Sequence, residues 1–176
     1  MEAENWDCIS EMVADCTREL FASIGTDLVR QRGSSLAADQ EKSAFSVIGF
    51  GGQQVRGVLV LGAPIELLAK AHPMPDAPSE DLLDWCGELS NQLVGRLKNK
   101  LLGYGIIIQL SLPTTLCGVL IQHWVRSRHA GFAHRFQADG HCVSTVFEGV
   151  AEPGVELAPI TGSPEPTNPE GDCLLF

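Results

Sequence analysis

Apolar and polar positions are patterned most clearly between residues 79 and 113, SEDLLDWCGELSNQLVGRLKNKLLGYGIIIQLSLP. Leu82, Cys86, Leu89, Leu93, Leu97 and Leu101 recur at three- and four-residue spacing, which predicts a long helix with one apolar stripe. At about 100° per residue, Asp84, Glu88, Asn91 and Gly95 cluster on the opposite side of that cylinder. Solvated helix faces are normally filled with strong helix formers, and neither Asn nor Gly is one. A mid-helix glycine costs about 1 kcal/mol relative to alanine, and Asp84 and Glu88 are like charges at i, i+4. Local costs gathered on one face suggest that something lies close against it.

The rest of the chain reads as alternating elements. Residues 5–30 predict an amphipathic helix whose stripe is Ile9, Met12, Val13, Cys16, Leu20 and Ile24, ended by Gly33-Ser34-Ser35. Residues 44–50 and 55–61 read as two apolar strands joined at Gly51-Gly52-Gln53-Gln54, a hairpin signal. A short helix over 64–71 opens with Pro64. A stiff connector, His72-Pro73-Met74-Pro75 and Pro78, leads to Ser79 as the expected N-cap of the long helix. That helix should stop near Gly103 or Gly105. Residues 106–112 (IIIQLSL) form a continuous apolar run, expected to be a central strand covered on both faces. Residues 119–125 fit a strand or a helix. Residues 132–136 and 142–147 predict a second hairpin around Ala138-Asp139-Gly140. The expected fold is two-layer α/β, an antiparallel-rich sheet with the first and the long helices on one face.

Composition narrows the function classes. The net charge is −10, and five acidic residues fall in the last 26 positions, which hold no Lys or Arg. The body therefore carries −5, which disfavours nucleic acid and anionic membrane as partners. Those last positions, 151–176, also hold half of the ten prolines and read as a disordered Pro/Glu-rich tail behind a domain spanning 1–150. The six cysteines form no C-x-x-C pair. Cys8, Cys16 and Cys86 fall on the apolar sides of the predicted helices, as small hydrophobes in a reducing compartment. The acidic opening MEAENWD is unlike a signal peptide, and no apolar run is long enough to span a bilayer. A cytoplasmic protein is expected.

With these elements in place, Asp84-x3-Glu88-x2-Asn91, followed after 21 residues by Pro113, resembles the signature of the CheC/CheX/FliY chemotaxis phosphatases. The continuation, a strand running into SLPTTLCG and then a hairpin, is similar to the CheX branch. The resemblance covers about the first 150 residues. It implies a CheC/CheX-like fold and hydrolysis of the phosphoaspartate of a response-regulator receiver domain, CheY-like in kind. In it Glu88 contacts a lysine of the receiver and Asn91 places the attacking water. The chemistry suits an amide, which orients water without deprotonating it, because phosphoryl transfer needs positioning more than a strong base. No cofactor is expected on this chain; Mg2+ belongs to the partner. Asp84 either orients the site or favours the positive helix end. Gly95 either lets a partner backbone approach or packs on the short helix. Lys98 could help dock an acidic receiver surface, and Pro113 is structural.

The resemblance also implies pseudo-symmetry. The first helix carries Asp7-x3-Glu11-x2-Ala14 in register with the long helix, with Ala14 where the amide belongs; chance alignment of two amphipathic helices is an equal alternative. Members with one site per chain pair through sheet edges, which implies a homodimer, with the 142–149 strand as the candidate edge. Two other readings stay open. The chain could be a non-catalytic CheX-like module that binds a signalling protein. Alternatively, His123, His129, His134, His141 and Cys142 could hold zinc, although their spacings match no usual zinc frame. No metal site is expected.

Overall fold

The structure, a computed structural model, describes residues 3–31, 41–118, 130–155 and 157. Its elements are α1 (Ala3–Ser23), β1 (Val29–Arg30), β2 (Ser43–Gly51), β3 (Val55–Pro64), α2 (Ile65–Ala71), α3 (Ser79–Leu102), β4 (Gln109–Leu110), β5 (Thr114–Gly118), β6 (Ala130–Ala138) and β7 (His141–Ala151). The strands make one antiparallel sheet in the order β1-β6-β7-β3-β2-β4, and β5 shares the outer edge of β2 with β4. Alternation along the strands selects the covered face: Ala44, Ser46, Ile48 and Phe50 of β2 and Val143, Thr145 and Phe147 of β7 are buried. On that face α1 packs against β6 and β7, α3 packs against β2, β3 and β5, and the two helices touch each other. This is the two-layer α/β arrangement expected from the sequence. Phe147 is central to the core, stacked on Phe132 at 4.7 Å and on Phe50 at 5.4 Å.

Turn chemistry fixes the register. The β6–β7 hairpin turns through Asp139 and Gly140, both at positive φ (50° and 84°), the two-residue turn that Asp-Gly favours. Helix α3 stops as glycine punctuation predicts. Gly105 is left-handed at φ 73°, and Ile106 N–H donates to Leu101 O while Gly105 N–H donates to Leu102 O.

Four expectations are corrected. Helix α1 ends at Ser23, well short of residue 30, because Gly25 takes a left-handed φ of 79° and closes the same kind of cap. Val29 and Arg30 then pair with Phe136 and Gln137 of β6. Ser79 is the first helical residue of α3 rather than its cap; Pro78 takes the cap position without a side-chain bond. Residues 106–112 are not a central strand. Only Gln109 and Leu110 pair, at the end of β2, and Ile107 and Leu112 are 64% and 75% exposed. The apolar run alternates in and out at a sheet edge. Finally, β7 cannot be an edge for dimerisation, because β3 and β6 flank it on its two sides.

Residues 119–125, His123 and His129, and residues 158–176 lie outside the described residues. Of the segment that follows residue 150, Val155 and Leu157 pack against the core, and Asn5 bonds the backbone of both. Among the described residues, no helix is long and apolar enough to cross a membrane.

Candidate functional site

Helix α3 is seated by its apolar stripe: Leu89, Leu93 and Leu97 have no exposed surface, and Leu82 and Leu101 almost none. That seating turns the opposite stripe outward. Asp84 and Glu88 are exposed, and Asn91, Gly95 and Lys98 are half-buried. The five residues follow at intervals of four, three, four and three, so the helix brings them together in one line. Glu88 is held at one oxygen, by a 3.0 Å hydrogen bond from Gln92 Nε2 to its Oε1. Among the described residues no side-chain hydrogen bond engages the Asn91 amide, which leaves its donors and acceptor available one turn from the carboxylate.

Two glycines explain how closely things approach this line. Gly87 is buried, and a methyl group there would lie 3.2 Å from Thr115 Cγ2 and 3.6 Å from Pro113 Cγ. Missing side-chain bulk at Gly87 is what lets α3 settle onto the start of β5, and Pro113 is the other half of that contact. At Gly95 the result is the reverse: among the described residues nothing lies within 4 Å of where a Cβ would sit. Packing against the short helix α2 therefore does not account for Gly95, and the open space before it does not require glycine for folding.

In front of the line, a hollow of about 430 Å³ is lined by His72, Asp81, Asp84, Trp85 and Glu88. The His72 ring meets Trp85 edge-on at 5.6 Å. Of the cations on α3, Lys100 bonds Glu19 of α1 at 2.9 Å, and Arg96 reaches Ser23 at 3.5 Å. Lys98, on the outward line, is set apart from both of these contacts.

Two histidines of the alternative zinc set, His134 and His141, are engaged by the protein's own groups. His134 Nε2 lies 2.9 Å from the Ser10 carbonyl and so must donate to it; Nδ1 then accepts from Arg30 at 3.1 Å. With that tautomer, His134 has no lone pair for the Ser10 hydroxyl 3.1 Å away, so the pair is not a nucleophile and base. Burial, with the Arg30 charge second, holds the His134 pKa below the usual histidine range. His141 is buried against Glu41, at 3.2 Å. Burial pushes the Cys16 thiol up to about 11 and the Cys86 thiol up to about 12, so both stay protonated and inert.

The sequence reading passed over Gly87, Gln92, Trp85 and His72. Gln92 carried a usable signal, since it is four residues from Glu88 and so within reach on the helix surface. Gly87 carried one as well, a glycine at the margin of a buried stripe. Trp85 and His72 meet only through the fold of the connector before α3, which periodicity does not encode.

With this geometry in hand, comparison with known proteins is informative. A family described as "Chemotaxis phosphatase CheX" matches residues 44–137, more than half of the 176-residue chain. A comparison with curated proteins finds no match. Among solved structures, CheX from Vibrio vulnificus superposes with a TM-score of 0.69 at 15% identity, over 81% of this chain and 96% of that one. A CheC-like superfamily protein from Shewanella sp. PV-4 gives a TM-score of 0.70 at 18% identity, over 86% of this chain and all of that one (100%). A complex of CheX, CheY, BeF3 and Mg2+ from Borrelia burgdorferi matches with a TM-score of 0.57 at 14% identity, over 79% of this chain and 96% of that one. These likenesses concern the fold, and the family match goes further: the chain belongs to the chemotaxis phosphatase CheX family.

Proposed function

We propose that this chain hydrolyses the phosphoaspartate of a CheY-like receiver domain, with Glu88 docking the receiver and Asn91 positioning the attacking water. One observation carries the reading: a half-buried amide that no side-chain hydrogen bond engages among the described residues stands one turn from an exposed carboxylate on a deeply seated helix. Family membership and the existence of a CheX–CheY complex support the choice of partner.

The division of labour follows from the side chains. The loose transition state of phosphoryl transfer asks for a water held in line and for stabilised charge. An amide can accept one hydrogen bond from the water and direct a lone pair at phosphorus, and it does not titrate. Glu88, fixed at Oε1 by Gln92, keeps Oε2 for a charge-assisted bond to a lysine of the receiver. Gly95, open above its Cα, clears space for the receiver backbone, and Lys98 at the end of the line pairs with acidic receiver surface. Pro113, against Gly87, holds the helix on its seat. This chain supplies no cofactor; Mg2+ is carried by the receiver, and the work is done in the cytoplasm. Assembly as a homodimer belongs to the same reading. Its edge would be β6 beyond the short β1 pairing, or the outer side of β5, both unpaired among the described residues.

The test is loss of phosphate from phosphorylated receivers of the source organism. The parent protein should accelerate it and the Glu88→Ala/Asn91→Ala double variant should not. Receivers that bind the parent tightly yet lose phosphate no faster would convert the reading into that of a non-catalytic binding module.

A further inference from the structure

The hollow before the catalytic line has walls of two kinds. Asp81, Asp84 and Glu88 place three carboxylates along α3, and Trp85 with His72 supplies aromatic surface. Trp85 is partly exposed, yet its Nε1 is enclosed and, among the described residues, without a partner. What the indole offers to the hollow is therefore carbon. A cation that lies flat on that surface while its hydrogens meet carboxylates satisfies both walls at once. A bare metal ion does not fit, because it needs several ligands converging on one point, and among the described residues no three His, Cys, Asp or Glu side chains so converge. An apolar ligand fits worse still, since it would strip water from the carboxylates without replacing it.

The hollow is also continuous with the docking line. Glu88 belongs to both, and Asp84 stands one turn before it. Resting on the function proposed above, we infer that this hollow is a second docking subsite, which takes a basic side chain of the receiver, arginine above lysine. Arginine is favoured because its planar guanidinium can stack on the indole while its edge pairs with Asp81 and Asp84. The subsite is distinct from the contact between Glu88 and the receiver lysine, and it selects among receivers instead of speeding the chemical step. A receiver with a basic residue at the facing position is held; one with an acidic residue there is repelled by three carboxylates.

Steady-state dephosphorylation and binding of the BeF3-activated receiver, measured in parallel, test this. In Asp81→Asn/Asp84→Asn the KM and the Kd should rise together on the order of tenfold, and the salt dependence of binding should flatten. Replacing receiver Lys and Arg residues singly by Ala should identify one position whose effect disappears in the Asp81→Asn/Asp84→Asn background. Unchanged Kd in the double variant, or coupling to no basic position, overturns the subsite whatever Asn91 does. The outcome for the phosphatase reading is separate. If Asn91→Ala leaves kcat unchanged while the carboxylate variant still weakens binding, the subsite stands and the water-positioning role falls.

Discussion

Helices α1 and α3 carry the same spacing of residues to opposite ends. Met12, Cys16 and Leu20 of α1 match Leu89, Leu93 and Leu97 of α3, and all six are buried on the same side of the sheet. Above them, Asp7-x3-Glu11-x2-Ala14 parallels Asp84-x3-Glu88-x2-Asn91. On α1 the carboxylate is consumed by the protein itself: both oxygens of Glu11 accept from Arg30, at 2.9 and 2.7 Å, and Arg30 also reaches His134. Ala14 is 1% exposed. On α3 the carboxylate is braced, among the described residues, only from within its own helix, and the residue at the amide position is half-open. Spacing alone thus places an acid and a small polar position one turn apart. Whether they face a partner depends on what the next segment does. After α1 the chain turns at Gly25 and pairs β1 with β6, from which Arg30 reaches Glu11; after α3 it turns at Gly105 and runs to the far edge of the sheet, and among the described residues no side-chain bond from that segment engages the Glu88–Asn91 line.

The comparison breaks, or sharpens, in graded ways. The buried stripes should be equivalent: Leu20→Ala and Leu93→Ala should each lose about 2–5 kcal/mol in denaturant unfolding, as filled core sites do. The outward positions should not be. Ala14→Asn forces an amide into an enclosed site and should cost about 1–3 kcal/mol, with no gain of phosphatase activity even when Arg30→Ala frees Glu11. A tolerated, active Ala14→Asn would mean that α1 is as open as α3.

The α1 side should also be sensitive to pH through His134. Its folded pKa lies below the unfolded value near 6.5. Above that value both states are neutral and stability is complete; as pH falls below about 6.5 the unfolded chain takes up the proton first, and stability drops until the folded pKa is reached. His134→Gln should flatten this part of a stability–pH curve measured by chemical denaturation. The smallest effect belongs to Gly95→Ala, which should stabilise the protein by up to about 1 kcal/mol through helix propensity. Affinity for the receiver should weaken at the same time. Stabilisation with unchanged affinity would remove the partner-clearance role of Gly95.

Most of the fold was legible because its signals are local. The long stripe from Leu82 to Leu101, the Asp139-Gly140 turn and the glycine stop after α3 each follow from one stretch of chain. The signals that misled were those whose meaning is set by neighbours. The run IIIQLSL has the composition of a buried strand, but β5 takes most of the outer edge of β2, so the run pairs only at Gln109 and Leu110. Gly25 interrupts an otherwise continuous helical stripe, and a single glycine is weak evidence until its left-handed φ is seen. The stripe from Asp84 to Lys98 was readable in the same way as the helix that carries it. The hollow with Trp85 and His72, and the seating of Gly87 on Pro113, depend on the connector and on β5, and no periodicity announces them.

The central claim is that Asn91 acts on the water and not on docking. It is tested most directly by comparing Asn91→Ala with the parent in single-turnover loss of phosphate from a saturating phosphorylated receiver, alongside the Kd for the BeF3-activated form. Replacing a half-buried helix Asn whose amide makes no side-chain bond among the described residues by Ala is neutral or slightly favourable to folding, so the variant should be folded and should bind the receiver with nearly the parent's affinity. Its rate should fall on the order of 10²-fold, the loss typical of one preorganised polar group aimed at a transition state. A variant that dephosphorylates as fast as the parent, or one whose rate loss is wholly explained by weaker binding, would contradict the account.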